Sequence, residues 1–177
     1  DSLSDEGVER VISDLRQSFD WVVCDSPAGI ERGASLAMRH ADFAILVVNP
    51  EVSSVRDSDR IIGLLDSTTE KAKRGEPMEK YLLLTRYDPI RAGRGEMLNV
   101  EDVLNILCIP LIGIVPESKE VLNASNVGTP VTLNNPTSAP ARAYYDAARR
   151  LKGELVPLVL LSEKVTLLDK LFGRRAA

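Results

Sequence analysis

Asp20-Trp21-Val22-Val23-Cys24-Asp25-Ser26-Pro27-Ala28-Gly29 is an apolar run that ends in a carboxylate and then turns through Pro and Gly. Val-rich runs of this length read as strands of a parallel sheet, and open α/β sheets gather ligands at the carboxyl ends of such strands. The pattern predicts a strand over Trp21 to Asp25 that delivers Asp25 to a rim of the sheet. A carboxylate there can hold the water shell of a Mg²⁺ ion, and the Gly29 backbone can approach a terminal phosphate where a larger residue could not. The same ten residues also suit a plain Asp-Ser-Pro turn, since these residue types dominate turns.

A phosphate cradle of the form G-x-x-x-x-G-K-[ST] should accompany such an aspartate. None of the 11 glycines begins that pattern. Gly93-Arg94-Gly95 lies in a polar, Arg-rich stretch with no strand before it and reads as a surface turn. The chain opens at Asp1-Ser2-Leu3-Ser4 without Met and leads directly into a helix. Val8, Val11, Ile12 and Leu15 form its apolar stripe, and Ser4 or Asp5 caps it. The missing cradle and this opening lead to the expectation that the chain is part of a longer nucleotide-binding protein.

Beyond Asp25, strands and helices alternate, the pattern of a parallel sheet covered on both faces. Strands are predicted at Phe43 to Asn49, Tyr81 to Thr85 and Ile109 to Val115. Helices are predicted at Ala34 to His40, Ser54 to Lys73, Val100 to Leu107, Lys119 to Ser125 and Ala139 to Lys152, the last with Tyr144, Ala148 and Leu151 on one side. Residues 1–153 read as one α/β domain, 154–162 as a linker and 163–177 as a separate tail.

With 177 residues, 44% hydrophobic and 27% charged, the chain suffices for one globular domain, and its net charge of −4 disfavours a nucleic-acid surface. Cys24 and Cys108 fall in or beside apolar runs and are predicted to be small buried hydrophobes. His40 is the single histidine, which excludes a multi-His metal site, and it is predicted at the surface end of a helix. No apolar run reaches the roughly 18 residues that a membrane span needs.

Each later strand ends in polar or Pro-containing punctuation: Asn49-Pro50-Glu51, Thr85-Arg86-Tyr87-Asp88 and Pro116-Glu117. The Arg86 guanidinium can stack on a purine and Pro116 offers an apolar edge. Taken singly, each is a strand-to-helix turn. Their recurrence at every strand end points to a nucleotide rim.

Three segments together resemble the MinD-like family of ATPases, which positions the bacterial division site. They are Asp25-Ser26-Pro27-Ala28-Gly29-Ile30-Glu31, then Asn49 to Arg60 with the sequence NPEVSSVRDSDR, then Leu83-Leu84-Thr85-Arg86-Tyr87. The middle segment is the most specific; the first is shared with partition and nitrogenase-iron-protein ATPases. The family's amino-terminal portion, with its phosphate loop, has no counterpart here. The resemblance implies a P-loop NTPase-like fold that is incomplete at its amino-terminal part. It further implies ATP and Mg²⁺ as cofactors, Asp25 near the metal and Gly29 in the second switch near the γ-phosphate. Glu51 and Asp57 are implied near an ATP-dependent homodimer interface, and Arg86, Pro116 and Glu117 around the adenine. Asp59 is implied where MinE-like and MinC-like regulators dock. Read from charge spacing alone, Arg56, Asp57, Asp59 and Arg60 are a solvated helix face with i, i+3 and i, i+4 pairs.

The carboxyl end carries an independent physical signal. At 100° per residue, Val165, Leu167, Leu168, Leu171 and Phe172 gather on one helical face, with Glu163, Asp169 and Lys170 off it and Gly173 ending the helix. Lys164, Lys170, Arg174 and Arg175 make this segment cationic within an anionic chain. Such a helix suits an anionic lipid interface; packing on the domain's own core is the competing reading. One copy should bind weakly and two copies held by a dimer far better. The family resemblance also implies a membrane-targeting tail, and Asp169 should weaken it here.

The expectation is therefore a cytoplasmic ATPase that binds the inner face of the cell membrane peripherally and reversibly, with ATP closing the dimer and hydrolysis releasing it. These 177 residues alone are predicted to be inactive. A gap or rearrangement is predicted between Trp21 to Asp25 and Phe43 to Asn49, where the family places its phosphate-loop strand. The alternatives are a partition-type ATPase acting on DNA and a non-catalytic module that binds regulators and membrane.

Overall fold

The computed structural model describes residues 4–27, 29 and 32–159, the Arg32 side chain excepted. Its elements run α1 (Asp5–Ser18), α2 (Arg32–Arg39), β1 (Phe43–Val48), α3 (Val52–Thr68), α4 (Glu70–Lys73) and β2 (Glu79–Tyr87). They continue with α5 (Pro89–Gly93), α6 (Val100–Leu107), β3 (Leu111–Pro116), α7 (Lys119–Asn126), α8 (Val131–Asn134) and α9 (Ala139–Leu151). The strands form a parallel sheet in the order β1-β2-β3. The expected α/β fold with a parallel sheet is therefore present, and its helices lie on both faces.

Alternation along β2 builds those two faces, because successive side chains of a strand point to opposite sides. Leu82 and Leu84 enter a core with Leu46 and Val48 of β1, Val55 and Leu65 of α3, and Val103 and Leu107 of α6. Leu83 points the other way, into a second cluster with Ile112 and Val115 of β3 and Ala147 of α9. Burying each of the larger aliphatic side chains contributes about 1.5–3 kcal/mol. The second face is covered only where α9 lies. Under β1 it is bare, and Ile45 and Val47 remain exposed.

Boundaries differ from the expected ones for local reasons. The helix predicted from Ser54 to Lys73 starts at Val52 and breaks at Thr69. There the backbone turns extended, and the Thr69 hydroxyl donates to the Leu65 carbonyl while accepting from the Ala72 N–H, so it caps a new helix. Two short helices, α5 and α8, were not anticipated. In α9, Pro140, Ala141 and Ala147 are the buried positions rather than a side built on Ala148 and Leu151. The Gly93–Gly95 stretch is the turn that closes α5, as expected.

The strand predicted over Trp21 to Asp25 is not one. Residues 20–27 run outside any helix or ladder, and β1 pairs on one side alone, with β2. Open space lined by both this segment and β1 lies between them. Trp21 meets the start of β1, ring edge to ring face with Phe43 at 5.9 Å. Both cysteines are exposed, contrary to expectation. Cys24 lies on the unpaired segment, and Cys108 is the left-handed residue (φ 51°) that ends α6.

Ser4 caps α1 as expected, its Oγ accepting from the Gly7 N–H at 3.1 Å. No residue of α1 is fully buried. Its polar attachments include Arg16 to Asp42 and to the His40 carbonyl, and Asp5 to Arg39.

Candidate functional site

Because all three strands run parallel, their carboxyl ends share one rim, formed by Val48, Tyr87 and Pro116 with the residues that follow. The chemistry of the rim begins at Thr85, one of the few buried polar residues. Its Oγ donates to Asn49 Oδ1 at 3.0 Å. The Asn49 N–H in turn donates to Ser54 Oγ at 3.2 Å, in the first turn of α3. One network thus joins the ends of β1 and β2 to the start of α3. Sequence reasoning missed this clamp; the signal was a lone Thr in an otherwise apolar strand.

Beyond Thr85 the ladder slips, with Leu84 opposite Ile114 and Tyr87 opposite Pro116. Arg86 sits in this bulge at φ 55°, a backbone conformation that costs an ordinary residue about 1–3 kcal/mol and that clusters at functional sites. The strain turns its exposed side chain along the rim, where Nε lies 3.4 Å from Glu117 Oε1. The Glu117 N–H donates to the Tyr87 carbonyl at 3.0 Å, pinning the loop after β3 against the end of β2. Arg86, Pro116 and Glu117 are therefore brought together.

Glu51 precedes α3 at the end of β1, exposed, and its side chain makes no capping bond. Asp57 and Asp59 are exposed on α3, and Asp57 has only a long i, i+3 contact to Arg60 at 3.9 Å. That contact matches the solvated-face reading of this stretch.

Asp25 and Gly29 lie on the unpaired segment. Between this segment and β1 opens a slot of about 900 Å³, lined by Val23, Asp25, Gly29, His40, Ile45 and Val47 among others. Its walls are mainly apolar, with Val23 88% and Val47 63% exposed. Asp25 is an exposed carboxylate in that wall. Gly29 has φ 102°, so the turn after Asp25 requires glycine for its backbone and not for close packing. His40 is not the surface residue expected: it is half-buried, and its Nε2 is buried without a hydrogen-bond partner.

No group of three or more His, Cys, Asp or Glu side chains that could hold a metal occurs among the described residues. No helix among them is long and apolar enough to cross a membrane. Leu167, Leu168, Phe172 and the rest of the expected lipid-facing helix over 163–177 lie outside the described residues, as does the expected linker beyond Val159.

No protein-family model matches the chain. It is 52% identical over 176 residues to the septum site-determining protein MinD of Escherichia coli (strain K12), covering 98% of this chain and 65% of that protein. Among solved structures, the MinC:MinD cell division protein complex of Aquifex aeolicus superposes with a TM-score of 0.80 at 38% identity, over 90% of this chain and 64% of that one. The septum site-determining protein MinD of Pyrococcus horikoshii OT3, complexed with Mg-ADP, matches with a TM-score of 0.69 at 28% identity, over 84% of this chain and 56% of that one. The chain thus spans just under two thirds of the length of the relatives it matches.

Proposed function

This chain is a homologue of the septum site-determining MinD proteins, and on that premise we propose that it forms the carboxyl-terminal portion of an ATP-dependent, membrane-associating ATPase that places the division septum. The single observation that carries this reading is the convergence on one sheet rim of the groups singled out from sequence. Glu51, Arg86, Pro116 and Glu117 follow the strand ends, and Asp25 with Gly29 lines the slot beside β1.

In this reading Arg86, Pro116 and Glu117 border the base, and Asp25 supplies the protein carboxylate for Mg²⁺. The donor set fits that ion, which takes one or two carboxylates together with waters and phosphate oxygens rather than an all-protein cage. When bound, Mg²⁺ neutralises charge on the phosphates. Glu51 and Asp57 face a second copy in an ATP-closed homodimer, and the exposed Asp59 face of α3 receives MinC-like and MinE-like regulators. A MinC:MinD complex among the structural relatives supports a MinC-like partner.

The slot beside β1 is where the phosphate-cradling part of the protein would enter. An extended apolar strand there would pair with the free β1 edge and cover Val23, Ile45 and Val47. Without it no backbone cradles the α- and β-phosphates, so the chain alone should have negligible turnover. The tail over 163–177, with Val165, Leu167, Leu168, Leu171 and Phe172 toward lipid and Lys164, Lys170 and Arg174 toward its headgroups, would attach the dimer to anionic membrane.

The test joins the chain behind the amino-terminal portion of the E. coli relative. The chimera should hydrolyse ATP in the presence of Mg²⁺, Asp25→Asn should lower that turnover at least a hundredfold, and the unextended chain should show none. Turnover by the unextended chain, or a chimera indifferent to Asp25→Asn, would overturn the reading. Flotation with phosphatidylglycerol vesicles tests the tail, and Leu168→Glu or Phe172→Glu should abolish it without unfolding the domain.

A further inference from the structure

Helix α9 ends in a fully formed Schellman arrangement. Gly153 takes φ 83°, its N–H donates to the Arg150 carbonyl at 2.9 Å, and the Glu154 N–H donates to the Arg149 carbonyl at 3.0 Å. A chain released from such a cap normally departs from the domain. Here it does not, because Arg150 holds it through three separate nitrogens. Nε donates to the Val156 carbonyl at 2.9 Å, Nη2 to the Pro157 carbonyl at 2.6 Å, and Nη1 to the Ile112 carbonyl at 2.7 Å. Arg149 adds a flanking pair to Glu154 at 2.7 Å.

The third partner is a particular one. The register of β2 against β3 passes from Leu82 opposite Leu111 to Leu83 opposite Gly113, so Ile112 is the extra residue of a bulge. Bulged residues interrupt the ladder. Arg150 uses the carbonyl at this interruption as its fixed point and hangs the following segment from it. The period of that segment agrees: Val156 and Leu158 are half-buried, whereas Leu155, Pro157 and Val159 are exposed, the alternation of an extended strap lying along a surface.

We propose that Arg150 is the positioning residue that holds the segment after α9 against the domain, so that the chain is carried onward from beside the start of β3 instead of from the end of α9. The guanidinium suits this task because its planar fork bonds several carbonyls at once, which a lysine ammonium on a flexible stem does not. The consequence for membrane attachment rests on the tail reading above. Releasing the strap would about double the number of residues between the last fixed position and Lys164. At a −3/2 power of tether length this lowers the effective concentration of paired tails roughly threefold.

Backbone ¹⁵N relaxation on the intact 177-residue chain tests the anchor. Order parameters at Val156, Leu158 and Val159 should be near 0.85 in the parent and fall below about 0.6 in Arg150→Ala. Those of α9 and β3 should hold, Arg149→Ala should leave the strap ordered, and Arg150→Lys should restore it only in part. An unchanged strap in Arg150→Ala would overturn the proposal. So would equal loosening of α9 and β3, which would make Arg150 a general stabiliser. In the chimera, Arg150→Ala should weaken ATP-dependent vesicle flotation about threefold. Absence of flotation by the unsubstituted chimera would sink the tail reading, while the relaxation result would still decide the anchor.

Discussion

Thr85 Oγ donates to Asn49 Oδ1 immediately beyond the last ladder pair of β1 and β2, Val48 opposite Leu84, so two strand ends are tied side chain to side chain. That tie fixes the spacing of the loops that carry Glu51 and Arg86. It also sets the orientation of the Asn49 amide, whose oxygen is engaged.

Replacing Thr85 by Val keeps the shape and deletes the donor. Leaving the Asn49 oxygen unpaired in a half-buried place should cost about 1–2 kcal/mol. Urea unfolding should show a lower midpoint at unchanged slope, and Thr85→Ser should recover most of the loss.

Arg86 at φ 55° sets an unusual rank order. Arg86→Gly should match or exceed the parent in stability, because glycine adopts this conformation without strain. Arg86→Val should be about 1–2 kcal/mol less stable than Arg86→Gly, since a β-branched side chain tolerates positive φ worst. Thermal melts of the two variants side by side decide the point.

Gly113 faces α9 at close range: a Cβ there would stand 3.0 Å from the Ala147 Cβ and 3.0 Å from Leu83 Cδ1. The leucine end can swing away, but Ala147 can yield only by moving the helix backbone. Gly113→Ala should therefore destabilise by about 1–3 kcal/mol. Ala147→Gly in the same chain should recover part of that loss, which equilibrium denaturation of the double variant would measure.

Hydrogen bonds from Arg39 and then Lys73 push the Glu70 carboxyl down to about 2. A depressed carboxylate contributes stability that is present above the ordinary range near pH 4.5 and lost as pH falls toward 2. Glu70→Gln should therefore melt below the parent at pH 7, with the difference closing between about pH 4.5 and 2. A difference independent of pH would refute this.

The parallel sheet was legible because Phe43 to Val48, Tyr81 to Leu84 and Leu111 to Val115 are near-continuous apolar runs, the pattern of parallel strands. Trp21 to Cys24 shows the same signal and yet makes no ladder, because pairing needs a neighbour and a one-dimensional pattern does not reveal whether one is there. The same cause left Cys24 exposed. The break at Thr69 was hidden because Ser67, Thr68 and Thr69 all bond to carbonyls one turn back, so three hydroxyls act alike and only one becomes a cap. α5 could have been found: Asp88 before Pro89 is a cap followed by proline at the first turn, and the Asp88 carboxylate does accept from the Ile90 N–H. At the candidate site, strand-end punctuation located Glu51, Arg86, Pro116 and Glu117. The bulge that strains Arg86 left no mark in residue type.

Helix α1 has no fully buried side chain; Val8, Ile12 and Leu15 are half-buried, and its polar attachments include those of Arg16 and Asp5, at distances of 2.6–2.9 Å but in exposed positions. Charge pairs of that kind weaken with added electrolyte, whereas the aliphatic interior between β2, α3 and α6 does not. Ionic strength is thus a selective handle on this molecule: added sodium chloride should loosen the first helix before it disturbs the aliphatic interior.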